Sequence, residues 1–492
     1  MAKLFVFGIG GTGSRVLRSL TMLLASGVKV GVDKIVPIII DPDEANADLT
    51  RTVTLMDLYQ NISNSLHYGA PKDRDQEADE REFFFHTGIE KVSQEAGYKL
   101  QIKDTADKTF EEFIGLPSMS KANQAITRML FSDANLSSSM RVGFKGNPNM
   151  GSVVLNQIDG SDDYIDFANS FSQGDKIFIV SSIFGGTGAS GFPLLLKTLR
   201  KDENNNNDQR PCPNQALLNS APIGAISILP YFKLEQEETS SIDSSTFLSK
   251  TRSALSYYEK ALKSDRGGTR GLDALYFLAD EARKTYENNE GGELQKNKAH
   301  LIEMLAATAI VDFSNYEINE DNRTTQYYEL GVRDTGRSDI TFHTFWDELQ
   351  KMLYGPLVRF RMMANALTDS YKDIYSTNRV DANRRHFLGI HDSRFMRDLR
   401  DFLTRYKDWT DEMKANDRTL MLFESNCKSN PFELVSEVKP KKELLSLKKN
   451  HELIIDRLNG TASKCTSREP ESKYLEMFYR VTKELVNKRL TL

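Results

Sequence analysis

The fold is decided by one stretch of the chain, Ile177-Phe178-Ile179-Val180-Ser181-Ser182-Ile183-Phe184-Gly185-Gly186-Thr187-Gly188-Ala189-Ser190-Gly191-Phe192-Pro193-Leu194-Leu195-Leu196. Its first residues are apolar without alternation, which is typical of a parallel strand covered on both faces. A glycine-rich turn follows and leads into a second apolar run, which we expect to be helical. A strand, a glycine turn and a helix in this order direct backbone N–H groups and a helix N-terminus at a phosphate. The stretch therefore predicts a phosphate-binding turn.

Length and composition indicate a soluble globular protein of more than one domain. The chain has 492 residues, which exceeds one ordinary core, and its apolar and charged fractions are 39% and 27%. The net charge of −5 gives no electrostatic argument for binding nucleic acid or a membrane surface. No apolar run approaches the roughly 20 residues of a membrane span.

Cysteine and histidine usage argues against a disulfide framework or a zinc site. The three cysteines, Cys212, Cys427 and Cys465, are widely spaced, and the seven histidines show no metal-ligand spacing. The N-terminus enters an apolar strand at once, so we expect no signal peptide. These features predict a cytoplasmic location.

A second glycine turn lies near the N-terminus. Leu4 to Phe7 has the pattern of a short strand and is followed by Gly8-Ile9-Gly10-Gly11-Thr12-Gly13-Ser14. The spacing is that of dinucleotide-binding turns, in the strand–turn–helix context that such turns require. It indicates a phosphate near a helix N-terminus and does not name the nucleotide. Glycine turns also serve packing alone in α/β folds, and that interpretation stays open for this loop.

The second strand, Lys34 to Ile40, ends in acidic residues. Asp41-Pro42-Asp43-Glu44-Ala45-Asn46 follows it directly. Acids at this place can hold ribose hydroxyls or a magnesium-bound water. They can equally form a helix N-cap with acids in its first turn. The neighbouring glycine loop favours the functional interpretation.

Three later segments complete the pattern. Residues 140–152 form a turn-rich loop, which is either a surface connection or a third phosphate-facing loop. Residues 221–229 predict another buried strand, which ends in Pro230-Tyr231-Phe232-Lys233-Leu234-Glu235. Asn297 to Phe313 is alanine-rich and apolar nearly all round, and this predicts a buried helix between domains.

In their order along the chain these loops resemble those of the tubulin/FtsZ superfamily of GTPases, and the divergent bacterial tubulin-like branch in particular. Phe184 to Pro193 resembles the tubulin signature Gly-Gly-Gly-Thr-Gly-(Ser/Thr)-Gly, with Phe184 in place of the first glycine. If Pro193 is aligned with the proline of the FtsZ form, Ala189 and Ser190 stand at the Ser/Thr and the last glycine; a one-residue shift would put Ser190 and Gly191 there. The other similar segments, within about residues 3 to 315, are residues 8–14 (first glycine loop), 41–43 (Asn-Thr-Asp), 143–151 (γ-phosphate loop), 228–235 (strand near the ribose) and Asn297 (base recognition).

The resemblance implies a site for GTP or GDP with Mg²⁺. Backbone N–H groups of the two glycine turns would meet the α- and β-phosphates, and the loop of residues 143–151 would close over the γ-phosphate. Asp43 would hold the metal through water, and Lys145 is a candidate for a charge near the γ-phosphate. The nucleotide-binding residues implied are Gly10, Gly11, Thr12, Asp43, Gly146, Asn147, Gly185, Gly186, Thr187, Gly188, Ala189, Glu235 and Asn297.

Hydrolysis needs a carboxylate that orients the attacking water. In this superfamily it comes from the neighbouring subunit, so that turnover depends on assembly. The candidates are Asp312 and Asp339, with Glu303 as a third. Asp312 is alternatively a helix-end residue and Asp339 a turn residue.

The predicted architecture is an α/β fold, a Rossmann-like parallel-sheet GTPase domain of tubulin/FtsZ type. We expect a nucleotide-binding domain at residues 1–290, a central core helix at 291–315, a second α+β domain at 316–430 and a helical C-terminal region at 431–492. The resemblance implies a prokaryotic cytoskeletal filament built as a homopolymer or homo-oligomer. It leaves the C-terminal helices open to a partner protein.

Three functions remain open from the sequence. The first is a GTP-binding, GTP-hydrolysing tubulin-like protein whose nucleotide state controls assembly into filaments. The second is a nucleotide-binding interaction module without polymerisation or catalysis. The third follows from residues 8–15 and 40–43, which also resemble the adenylyl-transferring domain of ubiquitin-activating and ThiF-type enzymes, which use ATP. That alternative, like a nicotinamide oxidoreductase, leaves Phe184 to Gly191 unexplained.

Overall fold

A computed structural model describes most of the chain. The described residues are 2–43, 45–68, 83–102, 105, 108–144, 146–201, 212–235, 247–262, 271–281, 285–286, 292–317, 324–329, 331–333, 336–368, 387, 390–425, 430–441 and 450–492. The strands are β1 (Lys3–Ile9), β2 (Lys34–Ile40), β3 (Gly88–Ile89), β4 (Lys176–Ser182), β5 (Ile223–Ile228), β6 (Lys233–Leu234), β7 (Ala274–Leu278), β8 (Thr285–Tyr286), β9 (Gln326–Glu329), β10 (Asp339–Ile340) and β11 (Thr419–Leu420). The α-helices are α1 (Gly10–Ala25), α2 (Ala47–Asn64), α3 (Phe110–Phe113), α4 (Lys121–Leu130), α5 (Asp133–Leu136), α6 (Pro148–Leu155), α7 (Asp162–Ser170), α8 (Gly186–Leu199), α9 (Gln215–Ser220), α10 (Phe247–Leu262), α11 (Leu301–Ser314), α12 (Asp347–Thr368), α13 (Arg394–Lys414), α14 (Asn450–Ala462) and α15 (Pro470–Arg489).

The main sheet is parallel, as the sequence predicted. Seven strands of the described chain form it in the order β3-β2-β1-β4-β5-β7-β9, and every pairing within it is parallel. At its centre β1 pairs with β4, with Leu4 opposite Lys176. The last strand, β9, lies in residues that the sequence pattern assigned to a second domain. The sheet therefore extends past the predicted domain boundary at residue 315.

Apolar side chains cover both faces of this sheet. Along β1, Leu4 and Val6 belong to one buried cluster, and Phe5, Phe7 and Ile9 belong to the other. The first face packs against α1, α2 and α11, and the second against α6, α8 and α10. Because both faces are buried, the strands carry continuous apolar runs in place of an alternating pattern.

The strand order reverses between β1 and β4, and this reversal positions the site. The chain leaves β1 into α1 on one face of the sheet, whereas it leaves β4 into α8 on the opposite face. Parallel α/β sheets bind ligands in the crevice that such a reversal opens at the carboxyl ends of the strands. Both predicted glycine turns lie at this crevice.

Helix α11 is shorter than the sequence predicted. It begins at Leu301, with His300 as its N-cap, so Asn297 lies outside it. The N–H of Asn297 donates to Asp48 Oδ1 at 3.1 Å, and the N–H of Ala299 donates to Glu412 Oε2 at 2.8 Å. Because side-chain carboxylates take these N–H groups, the segment before His300 stays extended.

The C-terminal helices share the apolar core of the α1/α2 face. Helix α13 packs against α2 and α12, and α15 packs against α12 and α14. Trp409 is fully buried, and its Nε1 donates to Ser19 Oγ on α1 at 3.2 Å. Helix α12 is continuous although Pro356 lies within it. Among the described helices, none combines the length and the apolar character that a membrane span requires.

Candidate functional site

The two glycine turns meet each other at the carboxyl ends of β1 and β4. Gly10 has a φ of +70°, a conformation that glycine adopts readily and L side chains rarely do. A Cβ placed on Gly10 would lie 3.4 Å from the Cβ of Thr187 and 3.7 Å from the N of Gly188. The turn after β1 and the turn after β4 are thus in direct contact across the crevice.

Two other glycines of the first turn serve packing. A Cβ on Gly13 would overlap the backbone of Gly8, and a Cβ on Gly8 would lie 2.8 Å from Leu17 Cδ1. These glycines allow α1 to leave β1 at a close approach. The packing interpretation that the sequence left open is therefore correct for Gly8 and Gly13, whereas Gly10 and the half-buried Gly11 line the crevice.

The loop of residues 143–147 closes the crevice from a third side. A Cβ on Gly186 would lie 3.0 Å from the N of Asn147 and 3.2 Å from the N of Gly146. On its other side, a Cβ on Gly143 would lie 3.7 Å from Pro42 Cγ, in the acidic segment after β2. Four segments that lie far apart in the chain therefore converge on one place.

The N-termini of α1 and α8 both point into this crevice without a side-chain cap. Among the described residues, neither N-cap residue, Ile9 for α1 and Gly185 for α8, caps its helix with a side chain, and neither first turn contains an acid. By contrast, the neighbouring helices α2 and α6 are capped by the side chains of Asn46 and Asn147. Uncapped N–H groups and the positive ends of two helix dipoles favour an anion at this point.

The departures of the second turn from the tubulin signature have structural reasons. Phe184 is buried and packs its ring against Tyr231 and Phe232, at centroid distances of 6.0 and 5.5 Å, so its side chain lies in the core. Ser190 is also buried, and its hydroxyl donates to the carbonyl of Gly186 at 2.8 Å. Ala189 uses its N–H for the first bond of α8, to the carbonyl of Gly185 at 3.3 Å. Its N–H is therefore already satisfied by the helix.

Asp43 carries an unsatisfied oxygen beside the glycine turns. The residue is 3% exposed, its Oδ2 accepts the N–H of Gly292 at 2.8 Å, and its Oδ1 is buried with no hydrogen-bond partner in the described part of the chain. Burial raises the pKa of Asp43, although hydrogen bonds from backbone N–H groups and the charge of Arg141 oppose the shift. Within the described residues no three acidic, histidine or cysteine side chains cluster as metal ligands.

Asp41 lies beside Asp43, and its pKa is strongly raised. Burial raises the pKa of Asp41 from 3.8 to about 7, and the charge of Asp43 adds to the rise. The hydrogen bond from the N–H of Asp43 to Asp41 Oδ1, at 3.1 Å, opposes the shift. The charges of Lys99 and Arg15 also lower the pKa of Asp41, but they do not offset the effect of burial.

We expect Asp41→Asn to stabilise the nucleotide-free protein more at pH 8 than at pH 5. The folded pKa lies above the unfolded pKa, so this group lowers stability progressively as pH rises from about 4 to about 7. The gain in the free energy of unfolding at pH 8 should be roughly 2 kcal/mol. This is about half of what the full pKa difference would give, because the side chain is partly exposed to solvent. Urea unfolding at the two pH values measures it. Asp133→Asn, at an exposed carboxylate, is the control, and an equal gain for Asp41→Asn at both pH values would contradict the prediction.

A buried ionic cluster lies directly behind the first turn. Arg15, which is 5% exposed, donates from Nε to Glu303 Oε1 at 2.5 Å and from Nη1 to Asp48 Oδ2 at 3.3 Å. Its Nη2 donates to Tyr231 Oη at 3.1 Å and to Thr12 Oγ1 at 3.4 Å. Burial alone would lower the pKa of Arg15, but Tyr231 and the two carboxylates outweigh it and raise that pKa well above its ordinary value. Since Thr12 Oγ1 accepts from Arg15, its own proton remains available for another acceptor.

Asn297 is held by this cluster. Its Nδ2 donates to Asp48 Oδ2 at 2.9 Å, and its backbone N–H donates to the same carboxylate. Asn297 therefore lies near the first turn, but as part of an extended segment and not at the start of α11 as the sequence suggested. Its Oδ1 accepts no hydrogen bond from the described residues, and its role in base recognition stays a prediction.

Glu303 is excluded as a water-orienting acid by its contacts. Its Oε1 accepts from Arg15 and from Tyr231 Oη, the latter at 2.9 Å, and its Oε2 accepts the N–H of His300 at 3.0 Å. His300 in turn accepts the N–H of Ile302 at Nδ1, and burial lowers the pKa of His300, so the ring is a neutral cap. Glu303 thus caps the N-terminus of α11 together with His300.

Of the two other acids, Asp312 lies away from the glycine turns. Asp312 is exposed near the C-terminal end of α11, where its Oδ2 accepts from Tyr276 Oη at 2.6 Å. This end of α11 packs near the amino ends of the strands, since Lys176 at the start of β4 donates to the carbonyl of Ser314 at 2.7 Å. Asp339 is exposed on β10. Asp312 is therefore at the opposite edge of the sheet from the glycine turns of its own chain.

Glu235 is likewise exposed, and its described hydrogen bond is from its own N–H to the carbonyl of Tyr286 at 2.8 Å. Lys145 lies outside the described residues. In its place Lys250 on α10 brings a cation to the third loop, because its Nζ donates to the carbonyl of Gly146 at 3.1 Å. The sequence reasoning missed Lys250, Asp48 and the cluster around Arg15, since each is assembled by long-range contacts. The available signal was the presence of two arginines, Arg15 and Arg18, in a helix with no other charged residue.

Comparisons with known proteins give little beyond the geometry. No family model matches the sequence, and no curated protein matches it. Among solved structures the chain is similar to CetZ2 from Haloferax volcanii in a GTPγS-bound protofilament, with 13% identity and a TM-score of 0.29. The match covers 65% of this chain and spans about 61% of the length of CetZ2.

Proposed function

We propose that this chain is a GTP-binding protein of the tubulin/FtsZ type, and that it hydrolyses GTP in a reaction that depends on self-assembly. Its nucleotide state would control assembly into a homopolymer or homo-oligomer. The proposal joins the loop resemblance in the sequence to the crevice between β1 and β4.

One observation carries the nucleotide part of this proposal. Two helices without side-chain caps, α1 and α8, meet at a sheet reversal through Gly10 and Thr187, with a third loop against Gly186. A packing role explains Gly8 and Gly13, but it does not explain why both helix N-termini lack the caps that α2 and α6 have. A phosphate chain would satisfy both sets of N–H groups at once.

In the proposed site the phosphates lie between the two turns. The N–H groups of Gly10 to Thr12 and of Gly186 to Gly188 would bind α- and β-phosphates, with the hydroxyls of Thr12 and Thr187 as further donors. Gly146 and Asn147, held by Lys250, would close over the γ-phosphate. Asn297, held by Asp48, is our proposal for a contact to the base.

The residues present fit a magnesium ion. Asp43 Oδ1 is buried and has no hydrogen-bond partner among the described residues, which suits a hydrated cation between Asp43 and the phosphates. When bound, Mg²⁺ would offset phosphate charge. Asp43 would then hold one of its water ligands.

The position of Asp312 supports hydrolysis between subunits. It lies at the edge of the sheet opposite its own glycine turns, so an isolated chain cannot bring it to its own nucleotide. In a head-to-tail assembly that edge would face the glycine turns of the next subunit. We therefore propose Asp312 as the acid supplied to a neighbour, with Asp339 as the alternative.

Release of the bound nucleotide tests the first part of the proposal. The purified chain, freed of small molecules by desalting, is denatured and the eluted compound identified by chromatography and mass. We expect GTP or GDP. Elution of ATP would favour the adenylyl-transferring alternative, and elution of NAD would favour an oxidoreductase.

Turnover per chain should rise with protein concentration. GTP hydrolysis is measured from dilute to concentrated protein, with light scattering in parallel to follow assembly. We expect a low rate in dilute protein because the acid is missing, and a rise at the concentration where scattering begins. Asp312→Asn should abolish the rise without weakening nucleotide binding, and Asp392→Asn, on an exposed acid far along the chain, is the control.

A nucleotide-binding module without catalysis is the second candidate. It is favoured by one observation, namely that Asp312 is engaged with Tyr276 and is therefore not a free acid. A flat rate per chain across the whole concentration range, with nucleotide still bound, would select this alternative.

A further inference from the structure

A carboxylate from the C-terminal helices reaches into the N-terminal part of the molecule. Glu412, on α13, accepts from Arg18 Nη1 at 2.8 Å and from Arg51 Nη1 at 3.2 Å. It also accepts the N–H of Ala299 at 2.8 Å. One side chain thus holds α1, α2 and the extended segment before α11 together.

Helix α13 and the turn that follows it together contact both polar backbone groups of Ala299. Glu412 takes the N–H of Ala299, and Asn416 Nδ2 donates to the carbonyl of Ala299 at 2.6 Å. The segment holds Asn297, and Arg51 Nη2 donates to the carbonyl of Asn297 at 2.8 Å. The position of α13 therefore fixes the backbone of residues 297–299.

From Glu412 a chain of ionic contacts leads to the first glycine turn. Arg51 Nη2 lies 3.2 Å from Asp48 Oδ1, Asp48 Oδ2 accepts from Arg15, and Arg15 donates to Thr12 Oγ1. The contact between Arg51 and Asp48 lies within α2, that between Asp48 and Arg15 joins α2 to α1, and that between Arg15 and Thr12 lies within α1. With the bond from Arg51 to Glu412, the set leads from α13 through α2 to α1. Thr12 lies in the first glycine turn, at the start of α1.

The positive and negative charges in this series of contacts are equal in number. Arg15, Arg18 and Arg51 face Asp48, Glu303 and Glu412, and all of their side chains are at most 20% exposed. Loss of one partner leaves an uncompensated buried charge, which costs more than the pair itself contributes. A displacement of Glu412 therefore removes a carboxylate partner from both Arg18 and Arg51, and these side chains must rearrange.

We propose that Glu412 is a positioning residue for the nucleotide site, through which the packing of α13 and the binding of nucleotide at the glycine turns are coupled. This inference rests on the proposed function. A nucleotide that orders Thr12 and Asn297 favours the arrangement in which Arg15 is connected to Glu412 through Asp48 and Arg51. By reciprocity, an intact contact at Glu412 strengthens nucleotide binding.

The first experiment compares Glu412→Gln with Glu476→Gln in the full chain. Glu476 on α15 is a matched buried carboxylate, since it accepts from the N–H groups of Thr466 and Ser467 and from Arg480, each at 2.8 Å. Calorimetric titration with GTPγS and with GDP measures affinity, and thermal melting reports stability. We expect both variants to melt earlier, but only Glu412→Gln to lose affinity, by about tenfold. Equal affinity in the two variants would overturn the coupling.

A second measurement keeps the proposal testable if Glu412→Gln does not fold. Hydrogen exchange of the wild-type chain, with and without GTPγS, is followed in residues 8–15 and in α13. In the wild type we expect GTPγS to slow exchange in both regions. The variant Asn416→Ala removes one contact to Ala299. In this variant the protection of α13 by GTPγS should fall, while the protection of residues 8–15 persists. Protection confined to residues 8–15 in the wild type would overturn the coupling and leave the nucleotide site standing. Absence of nucleotide binding altogether would overturn the proposed function and the coupling with it.

Discussion

Replacing Gly186 and Thr187 together by alanine is expected to lower nucleotide affinity by more than about 100-fold, equivalent to losing one or two hydrogen bonds to a charged group. The new Cβ at Gly186 would lie 3.0 Å from the N of Asn147 and 3.2 Å from the N of Gly146, so the third loop is pushed away from the crevice. The hydroxyl of Thr187 is lost at the same time. The backbone of Gly186 is helical, so alanine itself is tolerated and the chain should fold.

A matched control for this double variant exists elsewhere in the chain. Gly460 and Thr461 form the same pair inside α14, and a Cβ on Gly460 would meet nothing within 4 Å. Their double alanine variant should bind nucleotide as the wild type does and unfold slightly later, since alanine favours helix over glycine. Unchanged affinity of the Gly186 and Thr187 variant in a direct titration would show that the phosphates bind elsewhere.

Substitution of Arg15 by methionine should destabilise the protein by about 3–5 kcal/mol, the range expected when one partner of a buried ion pair is removed. Glu303 would keep only its bonds from Tyr231 and His300, and Asp48 would keep Arg51 and Asn297. Both carboxylates stay buried. Denaturant unfolding near pH 7 measures the loss.

The control for Arg15→Met is Arg128→Met. Arg128 pairs with Asp133 at 3.2 Å, but the two side chains are 54% and 92% exposed, so its loss should cost less than about 1 kcal/mol. Adding Glu303→Leu to Arg15→Met should recover part of the stability, because it removes one of the uncompensated charges. A loss for Arg15→Met no larger than that for Arg128→Met would contradict the account of the cluster given above.

The parts of the fold that the sequence predicted are those with local signals. The parallel sheet follows from apolar runs without alternation, and β2 has the predicted bounds, Lys34–Ile40. The glycine turns were found because strand, glycine and helix occur together within about ten residues. The crevice then follows from the rule that parallel strands end on one edge.

The parts that the sequence did not predict depend on partners far along the chain. Asn297 was expected in a helix because its neighbours are apolar and rich in alanine, but Asp48 and Glu412 take the N–H groups that a helix would use. Glu303 resembled a free acid because nothing nearby in sequence reveals Arg15, 288 residues away. Such contacts have no periodic pattern, and the cluster around Arg15 could not be read from spacing.

The pairing of β1 with β4 has a consequence for how the chain is made. The N–H of Lys3 donates to Asp175 Oδ1 at 2.8 Å, and these residues are 172 positions apart. At roughly 5–20 residues per second, on the order of 10–30 seconds pass on the ribosome before β4 emerges beside β1. During that interval β1 offers a buried-type apolar strand with an open edge, a template for association with other nascent chains. The first glycine turn is therefore synthesised early but completed late, and premature chain termination before β4 yields an aggregation-prone fragment.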